Sequence, residues 1–350
     1  MAEVKNNYTV NWLKREKRIL IGLGTVILIL FMLIIVDLYS LILKIGVIGI
    51  WGLMIFIIAY TLAFLFRAYK LKLIIKGLDQ ELRYQTSLFS IGICFFLNDL
   101  IPGKFGEFAK IGIIKDKENL KLSESVCGVT IERVLDLIVM FAISIFAVIY
   151  LYFYFNIFFN SGAIIILGLN LHIILALATV IIICIFIGLI LLIYRTQTIV
   201  DILNKFSKKL AALLGKFIIN FKEGIIKYRK NKKDLVYIIV IGFITWILDA
   251  LIIVIFFYFL GYRLDIIILI LAVILLFFSK IFTITPGGWG ISENVGALVI
   301  FLFYPQIPFL EILAVFIIDH LFRSVFLFFY GGYSMLHYNF RLKEAEQTII

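Results

Sequence analysis

Charge, proline and cysteine are all scarce in this chain of 350 residues: 16% are charged, four are proline and three are cysteine. With a hydrophobic share of 63% and a mean hydropathy of +1.12, so little charge excludes an ordinary soluble domain, where roughly 45–50% of residues are apolar. Cys94, Cys127 and Cys184 show no C-x-x-C spacing and stand in or beside apolar stretches. That argues against a disulfide framework or a zinc site and leaves them as small core residues. There is no G-x-x-x-x-G-K-[ST] loop to drive work with ATP. Metal-ligand clusters and nucleophile–base arrangements are missing too, so no cofactor and no catalytic residue is assigned. The first apolar stretch, 19–36, follows Lys14, Arg15, Lys17 and Arg18 but lacks an A-x-A-type cleavage site, so it reads as an uncleaved helix.

What the chain does have is long apolar runs. A bilayer-spanning helix needs about 20 mostly apolar residues, and six runs qualify: 19–40, 44–66, 131–155, 163–194, 236–260 and 309–336. The expected fold is an all-α polytopic membrane protein, a single integral membrane domain over 1–350. The net charge of +11 fits basic cytoplasmic loops better than nucleic-acid binding, which is not expected. With an internal N-terminus, Lys and Arg number five in 1–18, five in 67–85, three in 115–121, eleven in 195–234 and two in 337–350, against only Lys44 and Arg263 outside. That asymmetry puts both termini in the cytoplasm of a cell-membrane protein. Segment 195–234 sets Phe206, Leu210, Leu213, Phe217 and Phe221 among Lys205, Lys208, Lys209, Lys216 and Lys222. It reads as an amphipathic helix on the inner leaflet.

Two further apolar stretches are broken. Asn98-Asp99-Leu100-Ile101-Pro102-Gly103 interrupts 86–114, and Thr285-Pro286-Gly287-Gly288-Trp289-Gly290 interrupts 266–303. Proline and glycine end helices, and open backbone at membrane depth is tolerated only inside protein or against water. Two re-entrant helical hairpins follow, entering from opposite sides. In each half a full span precedes a Pro-Gly hairpin with a glutamate after the break and then a span carrying an arginine. Pro102 thus matches Pro286, Glu107 matches Glu293 and Arg133 matches Arg323. Repeat 1 covers about 44–155 and repeat 2 about 236–336, in inverted orientation, a transporter arrangement.

Ionisable groups at membrane depth are costly and default to functional candidates. They are Lys104, Glu107, Glu132, Arg133, Asp136, Asp249, Lys280, Glu293, Asp319, His320 and Arg323. Glu132 and Asp136 share a helix face at i,i+4, as do Asp319 and Arg323, and self-neutralising ion pairs or proton coupling are both open to them. Arginine stays charged and matches phosphate in bidentate fashion, which suits Arg133 and Arg323 to an anionic head group. The half-helices 103–114 and 291–303 would offer free N–H groups to an anion, with Gly103, Gly287, Gly288 and Gly290 allowing close approach. Glu107 and Glu293 could neutralise the arginines, receive a cationic head group or carry a coupling proton.

The run Asn98 to Glu107, the Glu132-Arg133-Val134-Leu135-Asp136 run and Thr285 to Glu293, in this order and spacing, resemble the lysylphosphatidylglycerol synthase/flippase transmembrane family over nearly the whole chain. The resemblance implies a flippase-like role with Pro102, Gly103, Glu107, Glu132, Arg133, Asp136, Pro286, Gly287, Gly288, Gly290 and Glu293 at motif positions. Lys104 falls where many members carry arginine. No aminoacyl-transferase domain is visible, so synthase activity is not implied. The expected function is movement of a lipid with a charged or phosphate head group between leaflets. A membrane-embedded enzyme of lipid-linked sugar or phosphate metabolism and a small-solute or ion transporter are the alternatives. Membrane lipids are the expected partners, and a second copy of the chain and a separate lipid-modifying enzyme stay open.

Overall fold

The computed structural model describes residues 37–101, 104–158, 165–166, 169–170, 201, 232–282 and 285–338. Apolar residues all around a helix suit lipid on one side and protein on the other, and four long helices meet that description. They are α1 (Leu38–Lys76), α4 (Leu122–Phe158), α5 (Lys232–Phe259) and α8 (Phe309–His337). Each covers one of the expected spans to within a residue, so the chain is a multi-pass membrane protein. The other two expected spans lie mostly outside the described residues, as does segment 195–234. Within the span expected at 163–194, Ile165–Ile166 pairs antiparallel with Leu169–Asn170. That stretch therefore begins extended rather than helical, as adjacent β-branched isoleucines favour.

The boundary expected near 41–43 is absent. Asp37 caps α1 by accepting from the N–H groups of Tyr39 and Ser40, and the helix kinks instead at Gly49, whose φ of 60° a residue with a side chain would resist. At its far end α1 runs well past the last residue of its expected span, to Lys76.

The broken stretches form two helix-break-helix units. The first is α2 (Tyr84–Leu100) and α3 (Phe105–Glu118). The second is α6 (Ile266–Phe282), a 3-10 turn at Pro286–Gly288, and α7 (Ser292–Phe303). The longest of these arms has 17 residues, about 25 Å at ~1.5 Å per residue, short of a ~30 Å bilayer core. Each unit folds back on itself. Arg83, before α2, pairs with Glu118 at the end of α3 (3.0 Å), and the Tyr304 hydroxyl after α7 accepts from the Asp265 N–H before α6 (2.8 Å). In the first unit the arms touch at Gly106, where a Cβ would come 1.9 Å from the Cys94 carbonyl oxygen.

The two units enter the bundle from opposite ends. Tyr338, at the end of α8, donates to Thr86 beside the feet of the first unit (3.2 Å). Lys44, in the first turns of α1, pairs with Glu311 at the start of α8, near the feet of the second (3.5 Å). The break at Pro286–Gly288 packs against α2, so the two tips meet within the bundle.

Candidate functional site

Around the tips, ionisable side chains gather in two ion-pair clusters. The first joins α1, α3 and α4. Lys110 of α3 is fully buried and lies 2.8 Å from both Glu107 and Glu132. Arg133 reaches Glu132 (3.2 Å), Glu107 (3.5 Å) and Asp136 (3.8 Å), and Lys70 of α1 donates to Asp136.

In the second cluster, Asp249 of α5 is buried between two arginines. It accepts from Arg67 of α1 and from Arg323 of α8 (2.9 Å). Arg323 also grips Asp319 with its Nε at 2.9 and 2.8 Å. Its guanidinium lies 4.8 Å from the centre of the Tyr60 ring and 5.4 Å from that of Phe277, an environment that favours a cation over aromatic faces.

His320 links this cluster to both tips. Its Nδ1 meets Glu293 of α7, and its Nε2 is 3.4 Å from Asp99 of α2. Its ring stacks on Trp289 at 3.9 Å and 7°. Gly287 sits under this contact with φ of 62°; a Cβ there would stand 2.6 Å from Asp99 Oδ1 and 3.2 Å from His320 Nε2.

Several expectations change on this geometry. Arg67 and Lys70, counted above as cytoplasmic loop charges, are buried because α1 continues beyond 66, and they face inward. Arg133 and Arg323 do not occupy matching places. The residue that meets Glu293 as Arg133 meets Glu107 is His320, while Arg323, like Asp136, pairs with the preceding long helix. The half-helix ends are also partly capped by the protein itself. The Gly106 N–H donates to Asn98 (2.9 Å), and the Gly290 N–H to Glu293 (2.8 Å), which also accepts from Ser292 (3.0 Å). Pro286 and Gly288 are buried in the tip of the second unit; Pro102 and Gly103 lie outside the described residues. Lys70, Arg67, Lys110 and Asp99 escaped the sequence reading, although Arg67 and Lys70 share a helix face at i,i+3 and Asp249 alone in an apolar span called for a cation.

Between the clusters lies a cavity of about 360 Å³. Lys104, Glu107, Arg133, Asp136, Lys280, Gly287, His320 and Arg323 reach its wall from the sequence-derived set, and Arg67, Asp99 and Trp246 join them. Buried polar atoms are almost always hydrogen-bonded. Arg67 Nη1, Arg133 Nε, Trp246 Nε1 and His320 Nε2 are buried and have no such partner. Of these, Arg133 Nε lies 3.5 Å from Glu107 and His320 Nε2 lies 3.4 Å from Asp99; Glu107 Oε2 and Glu132 Oε1 also lack a hydrogen bond, but each lies against a cation, Lys110 and Arg133 respectively.

Beyond Tyr60 and Arg323, on the other side of α1 and α8, runs an apolar groove of about 850 Å³ lined by Phe56, Phe64, Phe322, Phe326 and Tyr330, among others. Its rim residues Phe329 and Tyr333 are exposed. Aromatic contacts of Tyr60 with Phe64 (5.1 Å) and Phe326 (4.9 Å) form the partition between groove and cavity.

A family model described as the lysylphosphatidylglycerol synthase TM region matches residues 19–331. The chain is also 28% identical over 204 residues to the UPF0104 membrane protein MJ1078 of Methanocaldococcus jannaschii, covering 57% of this chain and 76% of that one. No solved structure matches.

Proposed function

Because this chain belongs to the lysylphosphatidylglycerol synthase transmembrane-region family, we propose that it is a flippase-like transporter, not an enzyme, and moves a lipid with a phosphate-bearing head group between leaflets. The observation that carries this reading is the gathering of five cations, Arg67, Lys104, Arg133, Lys280 and Arg323, against three acids at the wall of one cavity. A ligand rich in acceptor oxygens would meet them, and a guanidinium fits a phosphodiester in geometry as well as charge. The aromatic groove beside the cavity opens toward lipid, so the tails can stay in an apolar environment while the head group enters.

The two helix-break-helix units act as re-entrant hairpins of two inverted repeats, and rocking of one repeat on the other alternates access to the head group. The basic feet of the first unit lie in the cytoplasm, as do both termini, in a plasma-membrane protein. Transport is downhill or driven by a gradient. Neither a second copy of the chain nor a separate lipid-modifying enzyme is needed for this step.

The test is leaflet exchange of fluorescent anionic phospholipid in proteoliposomes. Wild-type protein accelerates exchange, and Arg67→Gln and Arg133→Gln slow it. Unchanged exchange in folded samples of both variants would sink the reading.

A further inference from the structure

The clusters differ in one chemical respect. The group set against the hairpin glutamate is an arginine in the first and an imidazole in the second. Arginine keeps its proton under all biological conditions, whereas histidine is the side chain that changes charge between about pH 5 and 8. The glutamates themselves are already committed. Glu107 is held between Lys110 and Arg133, and Glu293 accepts from Gly290 and Ser292 as well as facing His320.

His320 is only 3% exposed, and its Nε2 carries no hydrogen bond although Asp99 Oδ1 stands 3.4 Å away. A neutral imidazole has one N–H. If that hydrogen sits on Nδ1 toward Glu293, Nε2 presents a lone pair to the Asp99 carboxylate and nothing draws the two together. Adding a proton to Nε2 makes it a donor and ties Asp99, at the tip of the first unit, to Glu293, at the start of the second unit's returning helix.

We propose that His320 is the proton-binding site of the transporter: protonation clamps the two hairpin tips together, and deprotonation releases Asp99 and lets them part. This rests on the transport reading above. The proton comes from water entering the cavity on one face, bonds to Nε2, and passes to water of the other face as the tips part and the repeats rock, so no co-reactant is required. The charged groups sharing this site are Asp99 of α2, Glu293 of α7 and Lys280 of α6, with Asp319 and Arg323 on α8 itself. Arg67 and Tyr60 of α1 and Asp249 of α5 stand behind Arg323.

Trp289, stacked on the imidazole, supplies a reporter, because an imidazolium quenches indole emission more strongly than a neutral ring. In purified protein in nanodiscs, emission falls as pH is lowered. This component disappears in Trp289→Phe and in His320→Gln. Absence of any Trp289-dependent change in wild-type protein overturns the proposal, whatever the variants do. In proteoliposomes with a pH gradient, wild-type exchange of anionic phospholipid is biased by the gradient, and in His320→Gln and His320→Arg the bias is lost. A gradient bias that survives in both also overturns it. If no lipid exchanges at all while Trp289 emission still titrates, the transport reading fails and the proton site stands.

Discussion

The two ion-pair clusters hold their charges in different ways. The first, built from Lys70, Glu107, Lys110, Glu132, Arg133 and Asp136, uses three cations and three acids from α1, α3 and α4, all in the first half of the chain. The second draws on both halves: α1 gives Arg67, α2 gives Asp99, α5 gives Asp249, α7 gives Glu293, and α8 gives Asp319, His320 and Arg323. A closed, balanced block fixes its helices to one another. A cluster that crosses from half to half, with an imidazole at its centre, is placed where any relative movement of the halves would break or make contacts. On the transport proposal, the first cluster is the anchor and the second is the joint.

Substitutions sharpen that contrast. The largest effect is expected at Asp249, whose carboxylate serves buried arginines from two different helices. Asp249→Ala leaves Arg67 without its carboxylate partner and Arg323 with one fewer, at a cost of about 3–5 kcal/mol. Thermal unfolding in detergent, followed by loss of the monodisperse peak, measures it, and a midpoint near wild type would contradict the assignment.

In the first cluster a pair can be replaced as a unit. Lys70→Met alone leaves Asp136 with the 3.8 Å contact to Arg133 and destabilises by about 3 kcal/mol, whereas adding Asp136→Leu recovers much of the loss, because a buried pair is often no more stable than apolar side chains of similar volume. A double variant less stable than the single one would mean that Arg133 depends on Asp136 more than the 3.8 Å contact indicates.

At the joint, Gly287→Ala forces a Cβ into a left-handed position against Asp99 and His320. About 1–2 kcal/mol is expected from the backbone alone. Lipid exchange should fall more than stability does, since the contact being pushed apart is the one between the tips.

The smallest effect belongs to Arg83→Ala. Its side chain is 67% exposed, and its pair with Glu118 at the foot of the first unit is worth about 1 kcal/mol or less.

Much of this arrangement could be read from the chain itself. Four of the six expected spans appear as long helices because an uninterrupted apolar run at lipid depth has little alternative to helix. The breaks fall where Thr285-Pro286-Gly287 and Leu100-Ile101 to Lys104 interrupt the pattern, and the candidate charges Asp249, Glu293, His320 and Arg323 do converge on one cavity wall or its ion pairs. The reading erred wherever it treated the first basic residue as the end of a span. Arg67 and Lys70 follow an apolar run as loop residues would, but their partners Asp249 and Asp136 lie 182 and 66 residues away in sequence, and burial of the pairs extends the helix past them. The same holds for His320. Its neighbours Asp319 and Arg323 suggested an ion pair with each other at i,i+4, while the contacts of His320 with Glu293 and Asp99 exist only once two breaks and a long helix meet.

The central claim is that the cations at the cavity wall, Arg67 and Arg133 among them, are there for a phosphate. Its most direct test is to compare leaflet exchange of a phosphodiester lipid with that of a phosphate-free glycolipid carrying the same acyl chains, in the same proteoliposomes. The account predicts that the protein accelerates the phosphodiester lipid and leaves the glycolipid near its protein-free rate, with Arg67→Gln removing the difference. Equal acceleration of both lipids, unchanged by Arg67→Gln, would contradict it.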